Sequence, residues 1–100
     1  MSPKIFIDNK KIASFCLQWK IVEFAVFGSV LRDDFRPDSD VDVLVTFGPG
    51  GSITFDNRVD MLDELKAIFG REVDLVEKKA IDNPFRRHSI LTTKEVLYAA

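Results

Sequence analysis

A cluster of aspartates directly before an apolar segment constrains this chain more than any other feature. Residues 27–47, FGSVLRDDFRPDSDVDVLVTF, hold five aspartates and then run into a strand-like sequence. Asp40 and Asp42 are two positions apart, so on a β-strand their side chains point to one face and the neighbouring valines point to the other. Two carboxylates a few ångströms apart repel each other by on the order of 4 kcal/mol at an effective dielectric near 20. The sequence therefore predicts a positive partner between them, either a divalent cation or the guanidinium of Arg32 or Arg36.

The overall composition is that of a small folded protein. The chain has 100 residues, of which 46% are hydrophobic and 30% charged, so we expect a single domain over residues 1–100 with a core of its own. A net charge of -2 gives no basic field that would hold the chain on nucleic acid or on a membrane surface. The lone Cys16 excludes an internal disulfide framework. Without a transmembrane-length apolar run or a signal-peptide pattern, we expect a cytoplasmic protein.

The spacing of apolar residues predicts an alternation of helices and strands. Helical spacing extends over residues 9–19 and 56–69, with Asp56 as the N-cap of the second helix and Gly70 as its end, and a short helix is expected after Asn83. Strand-like runs are IVEFAVFG, VDVLVTF, EVDLVE and EVLYA. This order predicts an α+β fold, in which helices pack against one small mixed β-sheet.

Two further features add possible chemistry to the acidic cluster. Gly28 and Ser29 follow the first strand, where a glycine lets an anion approach the backbone and a serine can cap a helical turn. Arg32 lies one turn later and could reach either a phosphate or the aspartates. Asp74 lies inside another apolar strand, and if the two strands are neighbours, three carboxylates converge. Such a trio can hold two metal ions and deprotonate a hydroxyl for attack on phosphorus.

Single positions exclude several familiar ligand-binding motifs. An EF-hand loop beginning at Asp38 would need glycine where Val43 stands and glutamate where Pro49 stands. The segment GPGG has neither the spacing nor the lysine of a P-loop, and it does not match the dinucleotide-binding glycine pattern.

The other conspicuous side chains have ordinary structural explanations. Arg86, Arg87 and His88 could contact a phosphate or a partner, but they are more typical of a solvated basic helix end. Trp19 and the phenylalanines are expected in the core, and any that stay exposed could form a partner surface. Cys16 lies on an apolar helical stripe and is expected to be a small buried hydrophobe.

The linked motifs GSVLR, SDVD and VDLV resemble the nucleotidyltransferase superfamily associated with DNA polymerase β. More specifically, they resemble the minimal nucleotidyltransferases of prokaryotic toxin-antitoxin pairs, and NPFRRHSILTTKEVLY is similar to the closing segment of that group. The resemblance covers nearly the whole chain. It implies that Gly28 and Ser29 bind the β- and γ-phosphates of a nucleoside triphosphate, with Arg32 and Ser39 as further nucleotide-site residues.

The same resemblance implies the metal ligands and the reaction. Asp40, Asp42 and Asp74 would hold two Mg²⁺ ions, and Asp74 would help to deprotonate the acceptor hydroxyl. The implied reaction transfers AMP from ATP to a tyrosine of a cognate HEPN-domain RNase toxin, releases pyrophosphate and silences the toxin. Asp33 stands where many members of the group have glycine.

Two alternatives stay open from the sequence. The chain could neutralise its toxin by binding alone, with the aspartates as a vestige or a structural metal site. It could also be a small metal-dependent nuclease or phosphatase that uses water as the acceptor. Base preference and oligomeric state, whether homo-oligomeric or hetero-oligomeric, stay open as well.

Overall fold

The computed structural model describes residues 7–32, 36 and 39–100. The helices are α1 (Asn9–Trp19), α2 (Arg58–Phe69) and α3 (Pro84–Thr93), and the strands are β1 (Ile21–Phe27), β2 (Val41–Phe47), β3 (Val73–Glu77) and β4 (Glu95–Ala99). Short 3₁₀ turns follow β1 at Gly28–Leu31 and β3 at Lys78–Ala80. Within the described ranges, the elements alternate as the apolar spacing predicted, and the α+β expectation is confirmed.

The four strands form one mixed sheet in the order β3-β2-β1-β4. Strand β1 runs antiparallel to both β2 and β4, whereas β2 and β3 are parallel and are connected through α2. The register aligns Phe27 with Asp42 and aligns Asp42 with Asp74. Residues aligned in this way on adjacent strands share a face of the sheet. These three side chains therefore lie in one row, where β1 ends and where β2 and β3 begin.

The two faces of the sheet carry different cores. The larger cluster contains the three valines of β2 together with buried residues of α1 and α2, including Ile12, Phe15, Met61 and Leu65. The smaller cluster has five buried residues: Ala25, Phe27, Leu44, Ile81 and Ile90. Because the valines of β2 and Leu44 alternate along the strand, α1 and α2 cover one face and α3 covers the other. The aspartate row lies on the α3 face, as the predicted alternation of β2 requires.

Capping residues set the beginnings of α1 and α3. The carboxylate of Asp8 accepts a hydrogen bond of 3.2 Å from the backbone amide of Lys11 at the start of α1. The Oδ1 atom of Asn83 accepts from the amides of Phe85 and Arg86 at 2.9 and 3.1 Å. These bonds satisfy amides that have no partner within the helix. The prediction of Asn83 as the cap of α3 is confirmed.

The predicted start of α2 at Asp56 is wrong. The helix begins at Arg58 with Asn57 in the N-cap position, and it ends at Gly70, which has a φ of 71° as expected for a left-handed C-cap. Asn57 and Thr54 exchange two hydrogen bonds, of 2.7 Å from the Thr54 amide and 3.1 Å from the Asn57 amide. Reciprocal bonds of this kind form a capping box, and the Arg58 amide donates to the Thr54 carbonyl at 3.1 Å, so a capped turn leads directly into α2.

Most, but not all, of the aromatic residues lie in or against the core. Phe15 and Phe24 are buried, and the indole Nε1 of half-buried Trp19 donates a hydrogen bond of 2.7 Å to Glu64. Phe55 and Phe85, in contrast, are 95% and 85% exposed, so the core prediction does not hold for them. Across the described part of the chain, no helix is long and apolar enough to cross a membrane.

Cys16 is a buried structural residue, as its place on the α1 stripe predicted. Its side chain is fully buried in the larger core cluster. Burial raises the pKa of the Cys16 thiol to about 12, because the thiolate would lose its hydration there. The thiol is therefore in its neutral, unreactive form at physiological pH.

Candidate active site

Carboxylates from two parallel strands meet at the end of the sheet beside α3. Asp42 is half-buried as the second residue of β2, and Asp74 is exposed as the second residue of β3. Asp40 is exposed directly before β2. The register aligns Asp42 with Asp74. The strands of the two motifs are therefore neighbours, which is the condition under which the sequence predicted that these carboxylates converge.

The backbone of Gly28 packs directly on the carboxylate of Asp42. Gly28 has a φ of 74°, a left-handed conformation that side chains with a Cβ adopt at a cost. A Cβ atom at this position would lie 2.4 Å from Oδ2 of Asp42, which is closer than nonbonded atoms approach. The turn Gly28–Leu31 begins here as predicted, but Phe27 is its N-cap and no side chain caps it, so the expected capping by Ser29 is wrong. Only glycine therefore allows both the turn and its close approach to the aspartate.

Asp42 sits among like charges that two arginines partly offset. Burial raises the pKa of the Asp42 carboxyl above its usual range, and the negative charges of Asp74 and Asp40 raise it further. The positive charges of Arg32 and Arg86 act in the opposite direction. Arg32 was among the positive partners predicted for the aspartates. Because the raising effects prevail, the site still favours additional positive charge near Asp42.

Arg36 and Ser39, two described residues before Asp40, are joined by hydrogen bonds to each other and to Arg71. The hydroxyl of Ser39 accepts a 3.1 Å bond from the Arg36 amide, and the Ser39 amide donates a 3.0 Å bond to the Arg36 carbonyl. The guanidinium of Arg71 donates to the carbonyls of Arg36 and Ser39 at 3.1 and 3.4 Å. The Ser39 side chain thus holds the Arg36 backbone close to the start of β2. Three conspicuous aspartates of the opening motif, Asp33, Asp34 and Asp38, lie outside the described residues.

Arg86 is the site residue that sequence reasoning undervalued. It is exposed, as expected for a solvated helix end, but its charge also acts on Asp42. The next residue, Arg87, instead donates a hydrogen bond of 3.0 Å to the carbonyl of Lys78. Consecutive residues of an α-helix project about 100° apart. The different surroundings of Arg86 and Arg87 could therefore be predicted only by knowing which side of α3 faces the sheet.

Two pockets flank the aspartate row. One, of about 350 Å³, lies between the Gly28 turn and α3 and includes Arg32, Arg86, Ser89 and Ile90 in its lining. The other, of about 440 Å³, adjoins Asp74 along β3 and includes Arg58, whose guanidinium donates a 3.1 Å bond to the Leu75 carbonyl. Arg86 lines both pockets. The site therefore has room for a ligand on either side of the carboxylates.

The donors present suit a hard divalent cation that is shared with a substrate. In the described ranges, no group of three or more histidine, cysteine, aspartate or glutamate side chains is arranged to hold a metal ion by itself. Mg²⁺ prefers carboxylate oxygens and is usually held by one or two of them together with water and substrate phosphates. The crowded pair Asp42 and Asp74, with Asp40 nearby, is a donor set of that kind.

A small mixed sheet, with strand-borne aspartates under a Gly-Ser turn, is the architecture of a nucleotidyltransferase domain. The chain belongs to the nucleotidyltransferase domain family, whose sequence profile it matches over residues 9–97. It is therefore an enzyme domain of the nucleotidyltransferase class, as its linked motifs predicted.

Individual relatives place the chain in the minimal group of that family. Protein MJ1379 of Methanocaldococcus jannaschii is 34% identical over 73 residues, which are 73% of each chain. The protein adenylyltransferase MntA of Thermococcus cleftensis is 34% identical over 76 residues, covering 76% of this chain and 72% of MntA. A minimal nucleotidyltransferase of known structure is 31% identical with a TM-score of 0.70, covering 87% of this chain and 86% of that one.

A more distant structure shares the fold. It contains a tri-AMPylated HEPN toxin from Shewanella oneidensis in complex with an MNT antitoxin. The match has a TM-score of 0.64 at 18% identity and covers 92% of this chain and 70% of the matched chain.

Proposed function

We propose that this protein is a Mg²⁺-dependent adenylyltransferase and an antitoxin. It would transfer AMP from ATP to a tyrosine hydroxyl of a cognate HEPN-domain RNase toxin and so silence that toxin. The observation that carries the proposal is the contact between the Gly28 backbone and the Asp42 carboxylate, with Asp74 aligned beside it. Two comparisons support the choice of substrate and partner: MntA is a protein adenylyltransferase, and the Shewanella toxin bears AMP groups in complex with an antitoxin of this fold.

In the proposed complex, the Gly-Ser turn binds the triphosphate. Gly28 leaves its backbone open to the β- and γ-phosphates, and the Ser29 hydroxyl adds a hydrogen bond to them. Arg32 ends this turn, where its amide donates to the Ser29 carbonyl at 2.9 Å, and it lines the adjoining pocket of about 350 Å³. Ser39 contributes through its bond to the Arg36 amide, which anchors the residue directly before Asp40.

The proposed metal ligands are Asp40, Asp42 and Asp74. Two Mg²⁺ ions bound there would neutralise charge on the phosphates and lower the pKa of the acceptor hydroxyl. The residues of the chain orient this chemistry. Gly28 fixes Asp42 from one side, and the parallel pairing with β3 holds Asp74 on the other. Asp74 is the exposed member of that aligned pair, so an acceptor from a second protein can reach it.

The proposed transfer is an in-line displacement at the α-phosphorus of ATP. The acceptor oxygen forms a bond to that phosphorus, and the bond from the phosphorus to the bridging oxygen of the β-phosphate breaks. Pyrophosphate leaves with the bonding electrons, and the hydroxyl proton passes to the carboxylate of Asp74 and then to solvent. The toxin is left with an AMP ester on its tyrosine.

The proposal is tested by incubating the chain with Mg-ATP and a HEPN-domain protein encoded beside it. We expect the intact mass of the toxin to increase by one or more AMP groups, and its RNase activity to fall in parallel. Peptide mapping should place the groups on tyrosine, and removal of Mg²⁺ with a chelator should prevent the gain.

Paired variants separate catalysis from masking of the toxin. Asp40→Asn with Asp42→Asn should abolish transfer, whereas Asp60→Asn with Asp63→Asn, an equal charge change on the exposed side of α2, should not. If the toxin gains no mass and is still neutralised by both double variants, the chain acts by binding alone. Release of pyrophosphate without a labelled protein would instead indicate water as the acceptor.

A further inference from the structure

Arg86 occupies a central position in the site. It lies in the first turn of α3, on the sheet face that carries Asp42. Its side chain lines both the pocket between the Gly28 turn and α3 and the pocket beside Asp74. A group that borders both pockets stands between the proposed triphosphate subsite and the proposed acceptor base. In a transfer reaction, the phosphorus under attack lies between those two subsites.

The guanidinium of Arg86 is also free to bind a ligand. Among the described residues, it makes no hydrogen bond or ion pair, and its one recorded interaction is the effect of its charge on the Asp42 carboxyl, whose pKa it lowers. Arg87 differs, because its guanidinium donates to the Lys78 carbonyl and lines a separate pocket at the other end of β2 and β3. Arg87 is therefore held by a bond within the fold, whereas Arg86 lies at the pockets beside the aspartates.

We propose that Arg86 is a catalytic residue that binds the α-phosphate of the nucleotide as it is transferred. This inference rests on the proposed adenylyl transfer and adds to it a residue outside the Gly-Ser and aspartate motifs. A guanidinium offers several N–H donors in one plane, which suits the nonbridging oxygens of a phosphate. The bond would strengthen as negative charge accumulates during attack, so Arg86 would contribute more to the transition state than to ground-state binding.

A simpler role for Arg86 would be to offset the charge of the aspartates. The two roles predict opposite effects on ligand binding when the charge is removed. If Arg86 only neutralises the carboxylates, its loss should strengthen binding of a divalent cation and leave the affinity for nucleotide unchanged or higher. If it binds phosphate, its loss should weaken binding of a triphosphate and slow the transfer.

The experiment compares Arg86→Gln, Arg86→Lys and the adjacent control Arg87→Gln with the unaltered chain. We expect Arg86→Gln to lower kcat for AMP transfer by about 10²- to 10³-fold, which is the range for loss of one preorganised donor to a developing oxyanion. The KM for ATP should rise by less than about tenfold. Arg86→Lys should recover part of the loss, because it restores the charge without the planar fork. Arg87→Gln should stay within about threefold of the unaltered chain.

Binding measurements decide the inference independently of turnover. Titration with a nonhydrolysable ATP analogue should show a several-fold lower affinity for Arg86→Gln than for Arg87→Gln, with similar affinities of both variants for adenosine. Thermal melts of both variants show whether each is folded during these measurements. Equal analogue affinities, or tighter Mn²⁺ binding with nucleotide binding unaffected, would overturn the role in phosphate binding.

The outcome is separable from that of the proposed function. If the unaltered chain transfers AMP and Arg86→Gln transfers it equally well, the proposed function stands and only the inference fails. If the unaltered chain does not transfer AMP, the proposed function fails, and the analogue titration alone accepts or rejects Arg86 as a phosphate-binding residue.

Discussion

The two faces of the sheet divide stability from chemistry. Among the described residues, the cluster beneath α1 and α2 contains 15 buried residues, whereas the cluster beneath α3 contains five. Burial of apolar surface contributes about 25 cal/mol per Å², so the α1-α2 side supplies most of the hydrophobic stabilisation. The α3 side instead carries the aspartate row, two arginines and one open pocket, and a second pocket extends along the edge of β3 from Asp74. The protein therefore concentrates its apolar packing on the α1-α2 face of the sheet and places its charged groups on the α3 face.

This division implies opposite responses to substitution. On the α1-α2 side, a change should alter the free energy of unfolding and leave the rate of the folded enzyme alone. On the α3 side, removal of a crowded charge should impair catalysis and at the same time stabilise the fold. Active sites commonly carry such a stability cost, because like charges are held together for function.

The largest expected effect comes from Asp42→Asn. We expect AMP transfer to fall by at least about 10³-fold, as for the loss of a central catalytic carboxylate in other enzymes. In metal-free buffer at pH 7, the same variant should melt a few degrees above the unaltered chain, because a neutral amide loses less hydration on burial than a carboxylate and is not repelled by Asp74 and Asp40. Activity assays and thermal melts check both parts, with exposed Asp56→Asn as the control.

The pH dependence of this stability gain has a definite sign. The folded-state pKa of Asp42 is raised above its unfolded value, so the protonated carboxyl favours the fold. That contribution is fully present below the unfolded pKa and is lost as the pH rises through the folded pKa. The advantage of Asp42→Asn should therefore be largest near neutrality and small in acid. An advantage that grows on acidification would contradict the raised pKa of Asp42.

The sequence predicted that Asp42 and Asp74 lie on neighbouring strands because the signals involved are local or follow strand periodicity. Gly28, Ser29 and the aspartates stand at strand ends, and the apolar runs around Asp42 and Asp74 made the two strands plausible neighbours. The face on which α3 packs is decided by tertiary contacts, so the sequence did not show that Arg86 lines the pockets beside the aspartates whereas Arg87 bonds the Lys78 carbonyl. The N-cap of α2 was predicted at Asp56, whereas the capping bonds are made by Thr54 and Asn57, which pair reciprocally across three positions.

A second comparison uses two substitutions, each of which would create a cavity beneath one face of the sheet. Leu65 is fully buried in the larger cluster, and Ile90 is 5% exposed in the smaller one, where it also lines the pocket beside Gly28. Leu65→Ala should cost about 3 to 5 kcal/mol, because the dense surroundings cannot close over the void. Ile90→Ala should lower the free energy of unfolding by only about 2 kcal/mol, because its site is already open on one side. Urea unfolding of the two variants measures the difference, and equal costs would show that the faces are packed alike.

The smallest expected effect on stability, and the sharpest test of the site, comes from two glycines. Gly28 and Gly70 both have left-handed φ angles, of 74° and 71°, so alanine at either position should cost about 1 to 2 kcal/mol in backbone strain. A Cβ at Gly70 meets nothing within 4 Å, whereas one at Gly28 would displace the Asp42 carboxylate. That carboxylate is the end of a side chain that can rotate, so the two variants should melt within a few degrees of each other. Gly28→Ala should nevertheless lose AMP transfer and Gly70→Ala should keep it, and comparable activity in both would mean that the contact between Gly28 and Asp42 has no part in catalysis.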